Sequence, residues 1–305
     1  MSSAGRVVAT FGRHLIVRDV AGGEHRARPF GRRLSVVCGD EVRCELDARH
    51  DEAHVVEVLS RRSCLYRSNL RAGAEPVVAN LTLLLVVLAP VPEADPFMID
   101  RYLSAAASAG IRAALVLNKA DLGAGPAAEL TWYARLGYDC LACSARAGTG
   151  LTGLLALCRG ELAAFVGQSG VGKSSLVRAL VPQAEIRTAA LLRDEEGRHT
   201  TTASRLYELQ GGGGLVDSPG VRDFAPAPDH LEPTSLGFLE IAALAPGCRF
   251  DDCRHLREPG CAVRAAVEAG DVSARRYESY RRLRRLREQL LEAAGPGRKP
   301  DRKPR

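Results

Sequence analysis

Residues 162–180 read Leu162-Ala-Ala-Phe-Val166, then Gly167-Gln168-Ser169-Gly170-Val171-Gly172-Lys173-Ser174-Ser175, then Leu176-Val-Arg-Ala-Leu180. An apolar run enters a glycine-rich turn, and a helix-forming run from Lys173 to Leu180 leaves it. The turn matches G-x-x-x-x-G-K-[ST] in full. In a loop of that pattern the backbone N–H groups curl around phosphate oxygens, and the N-terminus of the following helix adds positive potential. Lys173 is expected to reach the β- and γ-phosphates and the Ser174 hydroxyl to ligate Mg²⁺.

Working outward, Asn118-Lys119-Ala120-Asp121 follows the apolar run Ala113–Leu117. This is the N-K-x-D pattern. A carboxylate at Asp121 accepts from both the ring N–H and the exocyclic amine of guanine. Adenine offers no such donor pair on that edge, so the carboxylate would be left unpaired. Ser144-Ala145 resembles the loop that supports the base from its other side. The nucleotide expected is therefore GTP or GDP with Mg²⁺.

Downstream, Asp217-Ser-Pro-Gly220 matches D-x-x-G. Asp217 is expected to hold Mg²⁺ through water, and the Gly220 N–H to sense the γ-phosphate. Gly197-Arg-His-Thr-Thr-Thr202 lies where a first switch loop belongs, with Thr200, Thr201 or Thr202 reaching Mg²⁺. Val221 stands where many such sites carry a water-orienting glutamine. Unaided hydrolysis is therefore expected to be slow, and His199 is the nearest polar candidate for that role. The order of the motifs is unusual: N-K-x-D precedes the phosphate loop, and D-x-x-G follows it. One sheet and one site still form if the chain is circularly permuted.

The flanking regions read differently. Residues 5–60 hold short alternating runs, Arg6–Thr10, His14–Arg18, Leu34–Val37, Asp40–Leu46 and His54–Leu59, punctuated by glycines. That pattern predicts a small OB-like β-barrel. Arg67–Glu75 is polar and predicts a linker. Val77–Ala89 and Ala113–Asn118 are near-continuous apolar runs, as buried parallel strands are. Pro96–Ala109 and Ala127–Leu136 read as helices, and Leu215–Val216 as a short strand. The fold expected is α/β, with an OB-like barrel over 1–66, a circularly permuted P-loop G domain with a mostly parallel sheet over 67–233, and a zinc-binding α-helical module over 234–305.

Within that last module, Cys248-x4-Cys253-x-His255-x5-Cys261 offers three thiolates and an imidazole. Three sulfurs and a nitrogen suit a closed tetrahedral, structural Zn²⁺ site. The other six of nine cysteines are scattered singly, which argues against a disulfide scaffold.

Composition narrows the class further. The chain has 305 residues, 46% hydrophobic and 26% charged, so it is neither disordered nor fibrous. No apolar run approaches the roughly 20 residues of a membrane span, and no leader is evident, so a cytoplasmic monomer is expected. Net charge is +6, yet residues 273–305 carry 12 basic against 4 acidic side chains, leaving −2 for the rest. The arginine-rich helix expected near Ser273–Ala294 pairs an apolar stripe of Tyr280, Leu283, Leu286 and Leu290 with a basic face, and the end, GPGRKPDRKPR, reads as disordered. Such a basic end suggests a polyanionic partner. Only four of 42 basic residues are lysine, and Lys119 and Lys173 fall inside the two nucleotide motifs.

Together these parts resemble the bacterial ribosome small-subunit-dependent GTPase A family (RsgA, also called YjeQ or EngC). The matching stretches are GDEV at 39–42, IDRYL at 99–103, VLNKADL at 116–122, GQSGVGKSS at 167–175, GRHTTT at 197–202, DSPGVRDF at 217–224 and the cysteine/histidine cluster. The resemblance implies binding to the 30S subunit late in its maturation, contact with 16S rRNA and subunit-stimulated GTP hydrolysis. One departure is Asn80-Leu81-Thr82, where the family commonly has Asn-x-Asp. A non-enzymatic rRNA-binding assembly factor with a signalling nucleotide site is the alternative that Val221 leaves open. A P-loop kinase or ATPase is opposed by N-K-x-D.

Overall fold

The structure is a computed structural model that describes residues 2–12, 14–31, 34–47, 52–69, 73–123, 127–182, 203–222 and 226–293. Five strands form the N-terminal barrel: β1 (Ser2–Phe11), β2 (His14–Asp19), β3 (Glu24–Pro29), β4 (Glu41–Asp47) and β5 (Glu52–Val58). Their order is β1-β2-β3-β5-β4 and back to β1, antiparallel except for the β3–β5 pair. Alternate residues point inward, as the two-residue period of a strand demands. Val7, Leu15, Val17, Ala27, Val42, Cys44, Ala53 and Val55 fill the interior. The barrel is the OB-like one expected, with one strand misplaced. Leu34–Val37 is irregular and Glu24–Pro29 is the third strand. Its sequence, EHRARP, buries only Ala27, so it carries almost no hydrophobic signal.

β1 outlasts the barrel. Along one edge Ser2–Arg6 pair with β4, while Ala9–Phe11 pair with a strand of the second sheet. A bulge between Val7 and Ala9 makes the transition. An inserted residue re-aims its neighbours: Val7 faces the barrel core and Val8 the core beyond it.

The segment read as a linker is instead an antiparallel ribbon, β6 (Cys64–Asn69) and β7 (Gly73–Ala79). The run Val77–Ala89 is likewise two strands, β7 and β8 (Leu83–Leu88). Asn80, buried and at a φ of 58°, makes the corner. Its Nδ2 donates to Gly39 O at 2.9 Å, and its Oδ1 accepts from the Arg62 N–H at 2.9 Å. Two residues on, the Thr82 hydroxyl accepts the Leu162 N–H at 2.9 Å, so the third position keeps a polar role with a hydroxyl.

The second sheet adds α1 (Pro96–Ser108), β9 (Arg112–Leu117), α2 (Ala127–Arg135), β10 (Asp139–Ala142), α3 (Leu151–Leu157), β11 (Leu162–Val166), α4 (Lys173–Leu180), β12 (Ala203–Glu208) and β13 (Gly214–Asp217). The order is β10-β9-β8-β11-β13-β12, parallel but for β12. Both faces are covered, which is why β8 and β11 are apolar throughout. Leu84, Val86 and Leu88 enter one core layer, and Leu83, Leu85 and Val87 the other. β12 pairs with Ala9–Phe11, so the barrel and this sheet are one continuous eleven-stranded surface.

After the turn α5 (Pro219–Arg222), the chain forms α6 (Leu239–Leu244), α7 (Ala262–Ala269) and the long α8 (Ala274–Ala293). The expected stripe on α8 is only partly apolar. Tyr280 and Leu283 are buried, but Leu286 is exposed, and Arg276 and Arg284 are buried beside them. Arg276 is neutralised there by Asp100 and Glu240, while Arg284 keeps its charge and is held by Pro233 O, Thr234 O and the Tyr280 hydroxyl. Residues 294–305 lie outside the described set.

Candidate functional site

The parallel register sets the geometry. β11 lies between β8 and β13, with Ala164 opposite both Leu84 and Val216, so the loops after β8, β9, β11 and β13 open at one end of the sheet. Ligands of open α/β sheets bind at that carboxyl end. The loop 167–172 needs its glycines. Gly167 sits at a φ of 142°, and a Cβ there would lie 2.4 Å from Val87 O. Gly172, at a φ of 95°, would place one 2.3 Å from Asn118 Nδ2. Lys173 folds back on this loop, donating to Gly167 O at 2.6 Å and Gln168 O at 2.9 Å. Ser174 is exposed on the first turn of α4.

The 118–121 motif is tied to the loop from the side. Buried Asn118 donates to Val171 O at 3.0 Å and accepts the Ala145 N–H at 3.0 Å. Lys119, in the left-handed region at a φ of 59°, donates to Val91 O at 2.8 Å and Gly170 O at 2.7 Å. Thus residues 118, 144–145 and 167–172, distant in sequence, share one rim. Ser144 is buried and takes the Ala147 N–H on its hydroxyl at 3.0 Å. Ala120 donates its N–H to Cys143 O at 3.1 Å. Asp121 is exposed beside this rim.

At the end of β13, Asp217 meets Arg222 through two contacts, Nε–Oδ1 at 2.7 Å and Nη2–Oδ2 at 2.5 Å. Ser218 Oγ is paired with Ser204 Oγ at 2.7 Å, linking this turn to β12. Gly220 packs near Val77, and Val221 is buried. His199 and Thr200–Thr202 lie outside the described residues. Arg222 was not among the residues expected from sequence, and D-x-x-G gives no signal for it.

Cys248, Cys253, His255 and Cys261 converge as expected. One ligand atom from each lies within 4.8 Å of all the others. His255 Nδ1 stands 3.4 Å from Cys248 Sγ and 3.5 Å from Cys261 Sγ, and those sulfurs are 3.9 Å apart. Tetrahedral zinc with bonds of about 2.0–2.3 Å requires edges of roughly 3.5–3.8 Å. The donor set and spacing therefore fit Zn²⁺. His255 adopts a φ of 58°, and Glu258 holds the loop around it by accepting the N–H groups of Arg254, Leu256 and Arg257 at 2.9–3.0 Å. Burial, then the Arg284 charge, push the imidazole below its ordinary value, so it stays neutral as ligation requires.

This module is bolted to the second sheet by α8. Tyr277 donates to His255 O at 2.6 Å and Tyr280 to Arg254 O at 2.9 Å. On the other side, Asp100 of α1 accepts from Tyr133 OH (2.6 Å), Arg276 (2.7 Å), Arg275 (2.8 Å) and Ser279 (2.5 Å). Arg276 also forks onto Glu240 at 2.7 and 3.0 Å.

A family model described as RsgA GTPase matches residues 58–226. The chain belongs to the RsgA GTPase family. The small ribosomal subunit biogenesis GTPase RsgA of Azotobacter vinelandii is 43% identical over 92% of this chain and 84% of its own. The protein of that name from Chromohalobacter salexigens is also 43% identical, with the same coverage. Among solved structures, YjeQ from Thermotoga maritima superposes with a TM-score of 0.71 at 27% identity, covering 98% of this chain and 100% of that one. YloQ, a circularly permuted GTPase, superposes at 0.70 and 23% identity over 95% and 96%, a likeness of fold. As in the family, the G domain is permuted, and a guanine nucleotide with Mg²⁺ is the ligand its GTPase domain implies. Among the described residues no helix is long and apolar enough to cross a membrane.

Proposed function

We propose that the chain hydrolyses GTP to GDP and phosphate while bound to the small ribosomal subunit, during that subunit's late maturation. The observation that carries this is Asn118, whose two amide atoms join the phosphate loop to the Ser144-Ala145 loop. One residue thereby fixes a guanine pocket against a phosphate cradle despite the permuted chain order. In this assignment Gly167–Ser175 cradle the phosphates, Lys173 meets the β- and γ-oxygens, and Asp121 reads the base. Ser174 and Asp217 offer hard oxygen donors from neighbouring loops, the chemistry Mg²⁺ prefers, and Gly220 senses the γ-phosphate. The ion supplies neutralisation of charge that builds on the phosphate oxygens. Val221 has no polar atom and is buried, so water must be oriented by His199 or by the docked partner.

The relatives' names supply the partner, and the barrel and metal module supply surfaces to meet 16S rRNA. Arg249, Arg254, Arg257, Arg282 and Arg285 are exposed on the metal module and α8 side. Zinc on the four converging ligands holds that module's fold. The working division is a barrel over 1–66, a G domain over 67–233 and a metal module over 234–305, in a cytoplasmic monomer. The test is GTP turnover by the full chain, with and without purified small subunits, and with ATP as competitor. Stimulation by subunits, loss in Lys173→Ala and indifference to ATP are expected. Turnover that subunits leave unchanged would overturn the proposal.

A further inference from the structure

Asp217, the carboxylate assigned to the Mg²⁺ side of the nucleotide site, is already fully engaged by a cation of the chain itself. Arg222 presents its Nε and Nη2 to the two carboxylate oxygens at 2.7 and 2.5 Å. A two-point fork of this kind is the strongest geometry an arginine offers a carboxylate. The pair is partly shielded, with side chains 31% and 20% exposed. Its placement is built by the turn. Val221 and Arg222 both return their N–H groups to Ser218 O, at 3.0 and 2.9 Å, which brings the Arg222 side chain back over Asp217. The hydroxyl of Ser218, locked to Ser204 at 2.7 Å, fixes the backbone next to that carboxylate. On the other side of the cradle Lys173 is held by Gly167 O and Gln168 O. The two charges assigned to nucleotide and metal are thus both satisfied internally.

We infer that Arg222 is a latch on Asp217: a positioning residue that holds the carboxylate until Mg²⁺ competes it away, and so sets how much Mg²⁺ the GTP-bound form demands. The fork takes one acceptor site on each oxygen, and a hydrated Mg²⁺ drawn to the remaining sites is repelled by the guanidinium already seated there. Mg²⁺ therefore binds beside Asp217 against that repulsion, and weakens the Arg222–Asp217 pair as it does so. The released guanidinium then turns to solvent or to the nucleotide's phosphates. Removing the latch lowers the Mg²⁺ requirement. This inference rests on the GTP and Mg²⁺ assignment above.

The experiment titrates Mg²⁺ into full-length protein with a fluorescent non-hydrolysable GTP analogue, starting from excess chelator. Wild type, Arg222→Gln and Arg222→Lys are compared. Half-saturating Mg²⁺ is expected to fall about two- to fivefold in Arg222→Gln, the range that a partly exposed ion pair supplies. Arg222→Lys keeps the charge but loses the fork, and is expected between the two. Analogue affinity under chelator should agree across all three proteins, which separates the latch from a damaged fold. An unchanged or raised Mg²⁺ requirement in both variants overturns the latch. Failure of wild type to bind the analogue at all would instead overturn the nucleotide assignment.

Discussion

Replacing Asp100 by asparagine tests what attaches the metal module to the G domain. Asp100 is 1% exposed and takes four donors, from Tyr133, Arg275, Arg276 and Ser279. Arg276 is equally buried, and its remaining counter-charge is Glu240. Asparagine keeps the shape but removes the negative charge and turns one acceptor into a donor facing donors. Removing one partner of a buried pair costs about 3–5 kcal/mol, because the other charge is stranded. Glu240 moderates this, so about 3 kcal/mol is expected. The reporter is built in. Trp132, the single tryptophan, lies with Arg275 and Arg276 at 5.7 and 5.9 Å from its ring. Its fluorescence during urea unfolding therefore reads this interface. With a slope of about 1–3 kcal/mol per M, the midpoint should fall by roughly 1–3 M, while GTP affinity stays within about twofold. A midpoint shift under about 0.3 M would refute the reasoning and show that Arg276 finds adequate compensation from Glu240 alone.

Asp121→Asn should weaken GTP binding and improve xanthosine triphosphate binding, because the amide donates where xanthine offers an oxygen; competition binding checks it, and unchanged GTP affinity sinks the guanine assignment. Glu258→Gln should lower zinc affinity about tenfold, the scale of a lost outer partner, since three N–H groups around His255 lose their charged acceptor; a chelator competition reads this. Burial pushes the Glu258 carboxyl up, but the backbone N–H groups of Arg257, Arg254 and Leu256 bring it down to about 2. Its contribution is therefore present above its unfolded value of 4.5 and is lost as pH falls toward 2, so the Gln variant and wild type should converge at low pH. Charge reversal of exposed Arg282 and Arg285 should weaken small-subunit binding and flatten its salt dependence, whereas the half-buried Arg275 and the buried Arg276, both paired with Asp100, should influence that slope only by unfolding the helix.

Short contiguous patterns determined much of this protein. The phosphate loop, the N-K-x-D and D-x-x-G motifs and the Cys/His spacing were legible because each places its chemistry within a few residues of chain. Their order alone revealed the permutation. The helices at Pro96, Lys173 and Ala274 and the apolar strands at Leu83 and Leu162 were legible for the same reason: burial on one or two faces imprints a local period. What escaped was set by partners far away in sequence. Glu24–Pro29 is a strand because neighbours β2 and β5 supply its hydrogen bonds, and it has little apolar content of its own. The polar stretch Arg67–Glu75 forms a ribbon rather than a linker because its two halves pair with each other. Arg275 and Arg276 look like a solvated basic face, yet they close on Asp100, more than 170 residues away in sequence. Charge is legible in a sequence, but whether it meets water or a buried counter-charge depends on which distant element is packed against it, and that is decided only in three dimensions.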